Sequence, residues 1–316
     1  MAGASGVARR GDHWWSSRLD REQVKWAFVF ILPWVIGFLV FTAGPMIWSF
    51  YLSFTQYDPF RGDPQVVGTR NYELLLADPR AKLALQNTLY FTVFNVPGTI
   101  LIGLGLAMML NRMGRSSGFF RTLFYLPNVT PAVAIGALFF LLLQGNGIIN
   151  QGLRLIGIQN PPFWLTNPDW VMPGIIIMAL WTTGATVIIL FAALKNVPQE
   201  MYEAARIDGA NAWNQFRNIT VPFISGPLFF VIVINVIGSL QMFAEVWAMF
   251  QGRPSAGASA QRASLMYVPY LFQKGFGEFQ MGYASAMAWV LFVIIMAITV
   301  LQLWLSKRWV YYEGND

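Results

Sequence analysis

The sequence predicts an all-α, polytopic membrane protein with about six transmembrane helices, and three observations carry that expectation. Only 11% of its 316 residues are charged, against 56% hydrophobic, whereas a soluble domain carries about 25% charged residues. Six charge-free runs each reach the ~20 residues that a helix needs to cross about 30 Å of hydrocarbon. None of them alternates apolar and polar residues with a period of two, as a barrel strand would. A helix is therefore left as the way to satisfy every backbone group in lipid.

The chain opens on a polar tail, residues 1–25, that holds its one histidine, His13. The first span lies between Lys25 and Asp58 and is apolar from Trp26 to about Phe50. It starts late and outruns the roughly 7–15 residues of a signal core, so a retained anchor is expected rather than a cleaved leader. The second span runs from about Asn87 to Leu110. The third lies between Arg121 and Arg154, its apolar part ending near Leu143. The fourth lies between Asp169 and Lys195, the fifth between Arg217 and Glu245, and the sixth between Glu278 and Lys307. The membrane domain thus covers 26–306, and 307–316 form a C-terminal tail.

Lys and Arg set the orientation, because positively charged loops stay in the cytoplasm. Thirteen of the 21 fall on one side: the N-terminal tail, the loop after the second span (Arg112, Arg115, Arg121), the loop after the fourth (Lys195, Arg206, Arg217) and the C-terminal tail. The other eight, such as Arg61, Arg70 and Lys274, fall on the opposite side. Both termini are therefore expected in the cytoplasm. The net charge of +6 is scattered between apolar runs, unlike the dense basic patch of a nucleic-acid binder. With no cysteine and a single tail histidine, disulfides, thiolate metal sites, histidine metal clusters and cysteine catalysis are not expected.

The outer loops carry the breakers. Asn160-Pro161-Pro162-Phe163-Trp164 and Asn167-Pro168-Asp169-Trp170 forbid a continuous helix, and Trp164 and Trp170 fit an interfacial aromatic belt. The stretch Gly252 to Ser259 is small and reads as a flexible loop.

The longest polar stretch between spans on the inner side is 195–222, KNVPQEMYEAARIDGANAWNQFRNITVP. Pro198 precedes a helix-prone run from Gln199 to Ile207. Gly209 then supplies a turn, since glycine adopts positive φ without steric cost. A second short helix is expected from Asn211 to about Ile219, with Pro222 opening the fifth span. Ala204 and Ala205 offer a smooth face for the close approach of another backbone, flanked by Arg206 and Asp208. A rigid element tied to two spans is a docking element, since force on it moves both helices. An interfacial helical loop without a partner is the other reading of the same residues.

This segment resembles the EAA loop of bacterial ABC-importer permeases: Glu-Ala-Ala, three residues, Gly, nine residues, Ile, one residue, Leu-Pro. Glu203, Ala204, Ala205, Gly209, Ile219 and Pro222 fall at those spacings, and Val221 stands in for the leucine. Asp208 and Ala210 match the common Asp-Gly-Ala core. The stretches Phe124 to Pro127, Met281 to Ala286 and Lys307 to Glu313 are similar to the carbohydrate-uptake branch, specifically its maltose-type first permease. Gly252-Arg253-Pro254 departs from the Gly-Gly-Pro of that branch.

The resemblance implies a type I importer permease of MetI-like fold, multi-pass in the bacterial cell membrane. It implies a translocation path for a sugar or polyol delivered by an extracytoplasmic solute-binding protein. A second, usually different permease would complete the path, and two ATP-binding cassette ATPases would hold the EAA loops. The sequence contains no GxxxxGK[ST] phosphate loop. ATP and magnesium are therefore expected in those partner subunits, and this chain is expected to be non-catalytic with no cofactor or metal of its own.

Substrate-path candidates lie in the fourth and fifth spans, which by resemblance line the sugar path. Asn235, Ser239, Met242 and Glu245 follow at intervals that place them on one helix face, with Gln241 off the line. Thr182, Thr183 and Thr186 lie in the fourth span. Polar groups in lipid face a wet path or a neighbouring helix, or glue helices together at about 0.6 kcal/mol per bond. Both readings stand at this point. Two further classes make demands that the sequence can be held against. An ion-coupled secondary transporter needs carboxylates in mid-span, and only Glu245 comes near. An intramembrane enzyme needs a clustered base and nucleophile, which this sequence hardly supplies.

Overall fold

The computed structural model describes residues 18–251 and 257–310. Most are helical, and contacts divide the chain into two units, Met1–Leu52 and Ser53–Asp316. The fold begins with α1 (Arg18–Phe38), which contains Pro33, a π-helical turn over Leu39–Ala43, and α2 (Gly44–Ser53). Together they form one apolar helical path, Glu22–Ser53, long enough to cross a membrane. The extra residue of the π turn re-phases the helix beyond Pro33 without ending it. Most of the N-terminal tail lies outside the described residues.

The second unit opens on a two-residue antiparallel pair, β1 (Thr55–Gln56) with β2 (Gln65–Val66), around the turn-rich stretch at Asp58 to Pro64. A short α3 (Arg70–Ala77) follows. The Nδ2 of buried Asn71 donates to the carbonyls of Ser53 and Thr55 and fixes α3 to the hairpin. Asp78 then caps α4 (Pro79–Arg112), accepting from the Arg80 amide at 2.8 Å, with Pro79 at the first helical position, where a missing N–H costs nothing. The expected second span is thus embedded in a helix of 34 residues, about 50 Å at 1.5 Å per residue.

Three expected spans are bent pairs. Ser117–Val129, built from α5 (Ser117–Tyr125) and a 3-10 turn, meets α6 (Ala132–Leu142) at 97°. Pro127 and Pro131 sit at the break, and a proline both lacks a donor and drives its predecessor out of helix. After α7 (Ile148–Leu155), α8 (Pro168–Trp181) meets α9 (Gly184–Lys195) at 48°. Here Thr182 and Thr183 turn their hydroxyls onto the carbonyls of Ala179 and Leu180, a local bond that competes with the helix ladder. A Cβ on Gly184 would collide with the Phe124 carbonyl oxygen, so glycine at this break lets α9 pack against the end of α5.

The loop after α9 and the fifth span comprise α10 (Gln199–Ile207), α11 (Ala212–Gln215), a π turn over Phe216–Thr220, α12 (Val221–Phe223) and α13 (Ser225–Leu240). The bend between 212–223 and 225–240 is 70°. Then come α14 (Ala244–Val246), a π turn to Gln251, α15 (Gly257–Ala263), α16 (Tyr267–Phe272) and α17 (Met281–Ser306), the sixth span. With each bent pair counted as one span, six are found among the described residues. The loop expected over Gly252–Ser259 is helical from Gly257; Gly252, Arg253 and Pro254 lie outside the described residues, as does the end from Tyr311.

In the second unit α4 is the central strut, packed against α8, α9 and α13. Its first half joins Phe91 to a cluster with Phe139, Ile175, Met178 and Met249. Its second half joins Leu104, Ala107 and Leu110 to Leu190, Leu194, Ile219 and Val231. Trp164 corrects the belt expectation: it is buried, and its Nε1 donates to Asn150 Oδ1 at 2.7 Å. Trp170 does remain partly exposed, edge-on to Trp164.

At the opposite end of α4 from Leu110, Asp78 Oδ2 accepts from Tyr270 at 2.6 Å and from Tyr283 at 2.8 Å. Burial alone would raise the Asp78 pKa. The two hydroxyls and the Arg80 and Ala81 amides outweigh it and hold the carboxyl below its ordinary value. Burial and the Asp78 carboxylate push the Tyr270 hydroxyl up. One carboxylate thus clamps the starts of α4 and α17 to α16.

Candidate functional site

The loop over 195–222, expected on the inner side, is a helix, a tight turn and a second helix. Helix α10 ends in a Schellman turn. The Ala210 N–H donates to Ala205 O at 2.8 Å, and the Gly209 N–H to Arg206 O at 3.1 Å. Gly209 sits between them at φ +78°, the left-handed conformation that the motif requires and that glycine adopts freely. The next helix starts at once, with Asn211 Oδ1 accepting from the Asn214 amide at 2.9 Å, a side-chain N-cap. Gln215 Nε2 reaches back to Ala210 O at 2.9 Å. Both helices are therefore held at a fixed angle by local bonds.

Burial shows which face is docked. Tyr202 and Ala205 of α10, with Ile219, pack on the cluster formed by Leu104, Leu110, Leu190 and Leu194. Tyr202 and Thr220 share a hydroxyl bond of 2.8 Å across the two helices. Glu203, Ala204, Asp208 and Gly209 face outward. The two alanines thus divide: Ala205 seats the loop, and Ala204 alone belongs to the open face. Glu203 accepts from Gln199 Nε2 at 3.0 Å, one turn earlier.

Two residues not singled out from sequence complete that face. Ile207 is 87% exposed and Trp213 64% exposed. Large apolar side chains held out beside charged ones, on a rigid support, form a surface suited to a protein partner. The sequence signal was their position inside an otherwise polar stretch. Pro222 stands at the start of α12 (Val221–Phe223), and the bend of the fifth span follows it, before Ser225. The Ser225 hydroxyl donates to Pro222 O at 2.6 Å, spanning that bend.

The substrate-path candidates separate into two groups. Asn235 Nδ2 donates to Val231 O at 2.8 Å and to Thr186 Oγ1 at 3.3 Å, joining α13 to α9. Ser239 accepts from Asn95 Nδ2 at 3.1 Å, joining α13 to α4. Thr183, Thr186 and Ser239 are buried, and Thr182 and Thr183 bond their own helix. The expected common face for Asn235, Ser239, Met242 and Glu245 is corrected. Helix α13 ends at Leu240, Gln241 is its exposed C-cap, and Phe243 leaves the helical region at φ −138°. Met242 and Glu245 belong to the next segment, Met242 packing on the cluster around Phe139. Glu245 is partly buried.

Asn95 was missed. It is 7% exposed in mid-α4, and its Oδ1 has no hydrogen-bond partner. The signal was legible in hindsight as the row Thr88, Thr92, Asn95, Thr99 at helical spacing in an apolar run. Asn95 with Ser239, and Asn235 with Thr186, form a polar seam that joins α13 to α4 and α9, whereas Thr88 accepts from the Tyr267 amide of α16.

The family model described as the inner membrane component of binding-protein-dependent transport systems matches residues 99–311, spanning α9, the inner loop and α13. The lactose transport system permease protein LacF of Rhizobium radiobacter is 34% identical, over 92% of this chain and 97% of its own. The arabinooligosaccharides transport system permease protein AraP of Bacillus subtilis is 33% identical over 88% of both. A subunit of a bacterial alginate ABC transporter, crystallised with an alginate pentasaccharide-bound periplasmic protein, superposes with a TM-score of 0.77. It covers 94% of this chain and 97% of its own at 24% identity, and so shows a shared fold. The chain belongs to the family of binding-protein-dependent transport inner membrane components, as the membrane-embedded, non-hydrolysing permease of an ABC importer that works with a partner permease, an ATPase and a solute-binding protein.

Proposed function

We propose that the chain forms half of the translocation path of a bacterial sugar or polyol importer, and that residues 195–222 are its coupling loop. In this reading a cytoplasmic ATPase seats on the face of Glu203, Ala204, Asp208 and Gly209, with Ile207 and Trp213 as apolar anchors. Two such ATPases hold ATP and magnesium, one under each of two different permeases, and both termini lie in the cytoplasm. The observation that carries the reading is the Schellman-capped turn at Gly209, docked through Tyr202, Ala205 and Ile219 onto the ends of α4 and α9 at Leu110 and Leu194. Displacement of a rigid loop seated in this way moves α9 and α13 together. The sugar assignment is supported by the relatives named for lactose and arabinooligosaccharide transport. The membrane domain, 26–306, would contribute the seam around Asn95 and Asn235 as packing between the moving helices, and Gln241 and Glu245 beyond α13 as the polar groups left for solute.

The test is affinity purification of the tagged chain from solubilised native membranes, wild type against Glu203→Lys with Gly209→Pro. A nucleotide-hydrolysing subunit recovered with wild type and lost with the variant is expected. Equal recovery with both would remove the loop from the interface.

A further inference from the structure

A cavity of about 810 Å³ opens beside the hairpin, α3 and the start of α17, within the roughly 300–1,000 Å³ range of small-molecule sites. It lies at the end of α4 that begins with Asp78, whereas the inner loop packs on the end near Leu110. The cavity and the coupling loop are therefore separated by the length of that helix. None of the 195–222 loop residues or the substrate-path candidates lines this cavity.

Three features set its chemistry. Its walls carry Asp58, Asp63, Asp78 and Glu278 against Arg61, Arg70 and Lys274. Arg61 is paired with Asp58 at 3.1 Å and Lys274 with Glu278 at 2.6 Å. Asp63 and Arg70 have no ion pair among the described residues, and Asp78 is held by tyrosine hydroxyls, so four carboxylates face three cations and the lining is slightly acidic. Gln56, Gln65 and Gln280 add neutral amides. Among the described residues no acidic cluster is arranged to hold a metal ion.

The third feature is Phe279. It stands in the cavity wall at φ +57°, the one non-glycine residue among those described in the left-handed region. A bulky side chain is strained there. The conformation is imposed from both sides: Glu278 N–H donates to Gln273 O, Gln280 N–H to Lys274 O, and Met281 N–H to Tyr57 O at 3.0 Å. Glycine at 279 would remove the strain, yet the ring is present, partly exposed and braced edge-on by Phe60 at 4.7 Å. Strain that the surroundings hold in place points to a use for the ring.

We propose that this cavity is an outer saccharide subsite, with Phe279 as the stacking platform and Asp63, Arg70 and Gln280 as hydroxyl partners. An aromatic face beside a carboxylate, a guanidinium and amides suits a neutral, polyhydroxylated solute. The slightly acidic lining disfavours a polyanion. The subsite would hold solute before it enters the path, and it rests on the sugar reading of the proposed function.

The experiment uses the assembled importer in nanodiscs and in proteoliposomes, with lactose and arabinotriose as probes and a galacturonate trimer as the anionic control. Uptake by wild type is measured first. Saccharide binding is then titrated without the solute-binding protein, and docking of the loaded solute-binding protein is measured separately. Phe279→Gly removes the ring while relaxing the backbone, so the variant folds at least as well as wild type; Arg70→Gln is the second variant. The expected result is binding of a neutral probe by wild type and about tenfold weaker binding by Phe279→Gly, with docking within about twofold of wild type. Weakened docking with unchanged saccharide binding would make the cavity a protein contact and overturn the proposal. Unchanged values for both, or uptake by wild type without direct saccharide binding, would also overturn it and leave the sugar reading standing. Uptake of neither probe would overturn the sugar reading itself, and the subsite with it.

Discussion

Gly209 allows the coupling-loop account to be tested by degree rather than by presence or absence. No atom lies within 4 Å of where a Cβ would stand on it, so a substitution there meets no steric neighbour and acts through the backbone alone. At φ +78° an alanine costs about 1–2 kcal/mol relative to glycine, which lowers the population of the seated turn by roughly 5–30-fold. Asparagine tolerates this region better than alanine. Proline is fixed near −65°, and it also lacks the N–H that donates to Arg206 O. The expected order of saccharide-stimulated ATPase activity in reconstituted importer is Gly209, then Gly209→Asn, then Gly209→Ala, with Gly209→Pro at background. Membrane insertion and chain yield should stay at wild-type level in all four, because no core contact is touched. Wild-type activity in Gly209→Pro, or activities that simply track yield, would refute the reasoning.

Other expectations follow from the packing. Asp78→Asn weakens two hydroxyl bonds to a carboxylate, a loss of about 1.5–3 kcal/mol, read as a lower melting temperature in detergent. Because its folded pKa is lowered, the stabilisation from Asp78 is fully present above the unfolded value of about 3.9 and is lost as pH falls through the lower folded value. The melting difference between wild type and Asp78→Asn should therefore be constant from pH 5 to 8 and shrink below about pH 4. Gly184→Ala forces α9 away from the Phe124 carbonyl and should destabilise by about 1–3 kcal/mol, again read by melting. Asn235→Leu removes one bond between α13 and α9, at about 0.6 kcal/mol. It should lower thermal stability slightly and leave the saccharide KM unchanged, and a shifted KM with unchanged stability would return Asn235 to the solute path.

The helical class and the span count were legible because the cost of burying charge in lipid leaves long uncharged runs that nothing else explains. The inner loop was legible for a different reason: its turn needs glycine at one position and small residues nearby, so spacing alone carries it. The bends were not legible. Pro127 and Pro131 sit in an apolar run that hydropathy counts as continuous, and the break at Thr182 and Thr183 comes from hydroxyls bonding their own helix. The stripe over Asn235 to Glu245 failed because helical spacing was extended past Leu240, where α13 ends. Ala205 and Ala204 have the same side chain, so only the packing of α10 shows that one faces inward and the other outward. Asn95 stood in a row of polar residues at helical spacing, but which helix that row faces became visible only where α13 brings Ser239 beside it.

The central claim is that the open face of α10 seats an ATPase, and the absence of cysteine from the chain permits a direct measurement. Ala204→Cys and Ala205→Cys are each introduced alone, and native membranes are treated with a short thiol-to-amine cross-linker. The account predicts that the exposed position 204 captures a subunit that hydrolyses ATP, whereas position 205, packed against the cluster around Leu110, does not. Capture from neither position, or capture from position 205 alone, would contradict it.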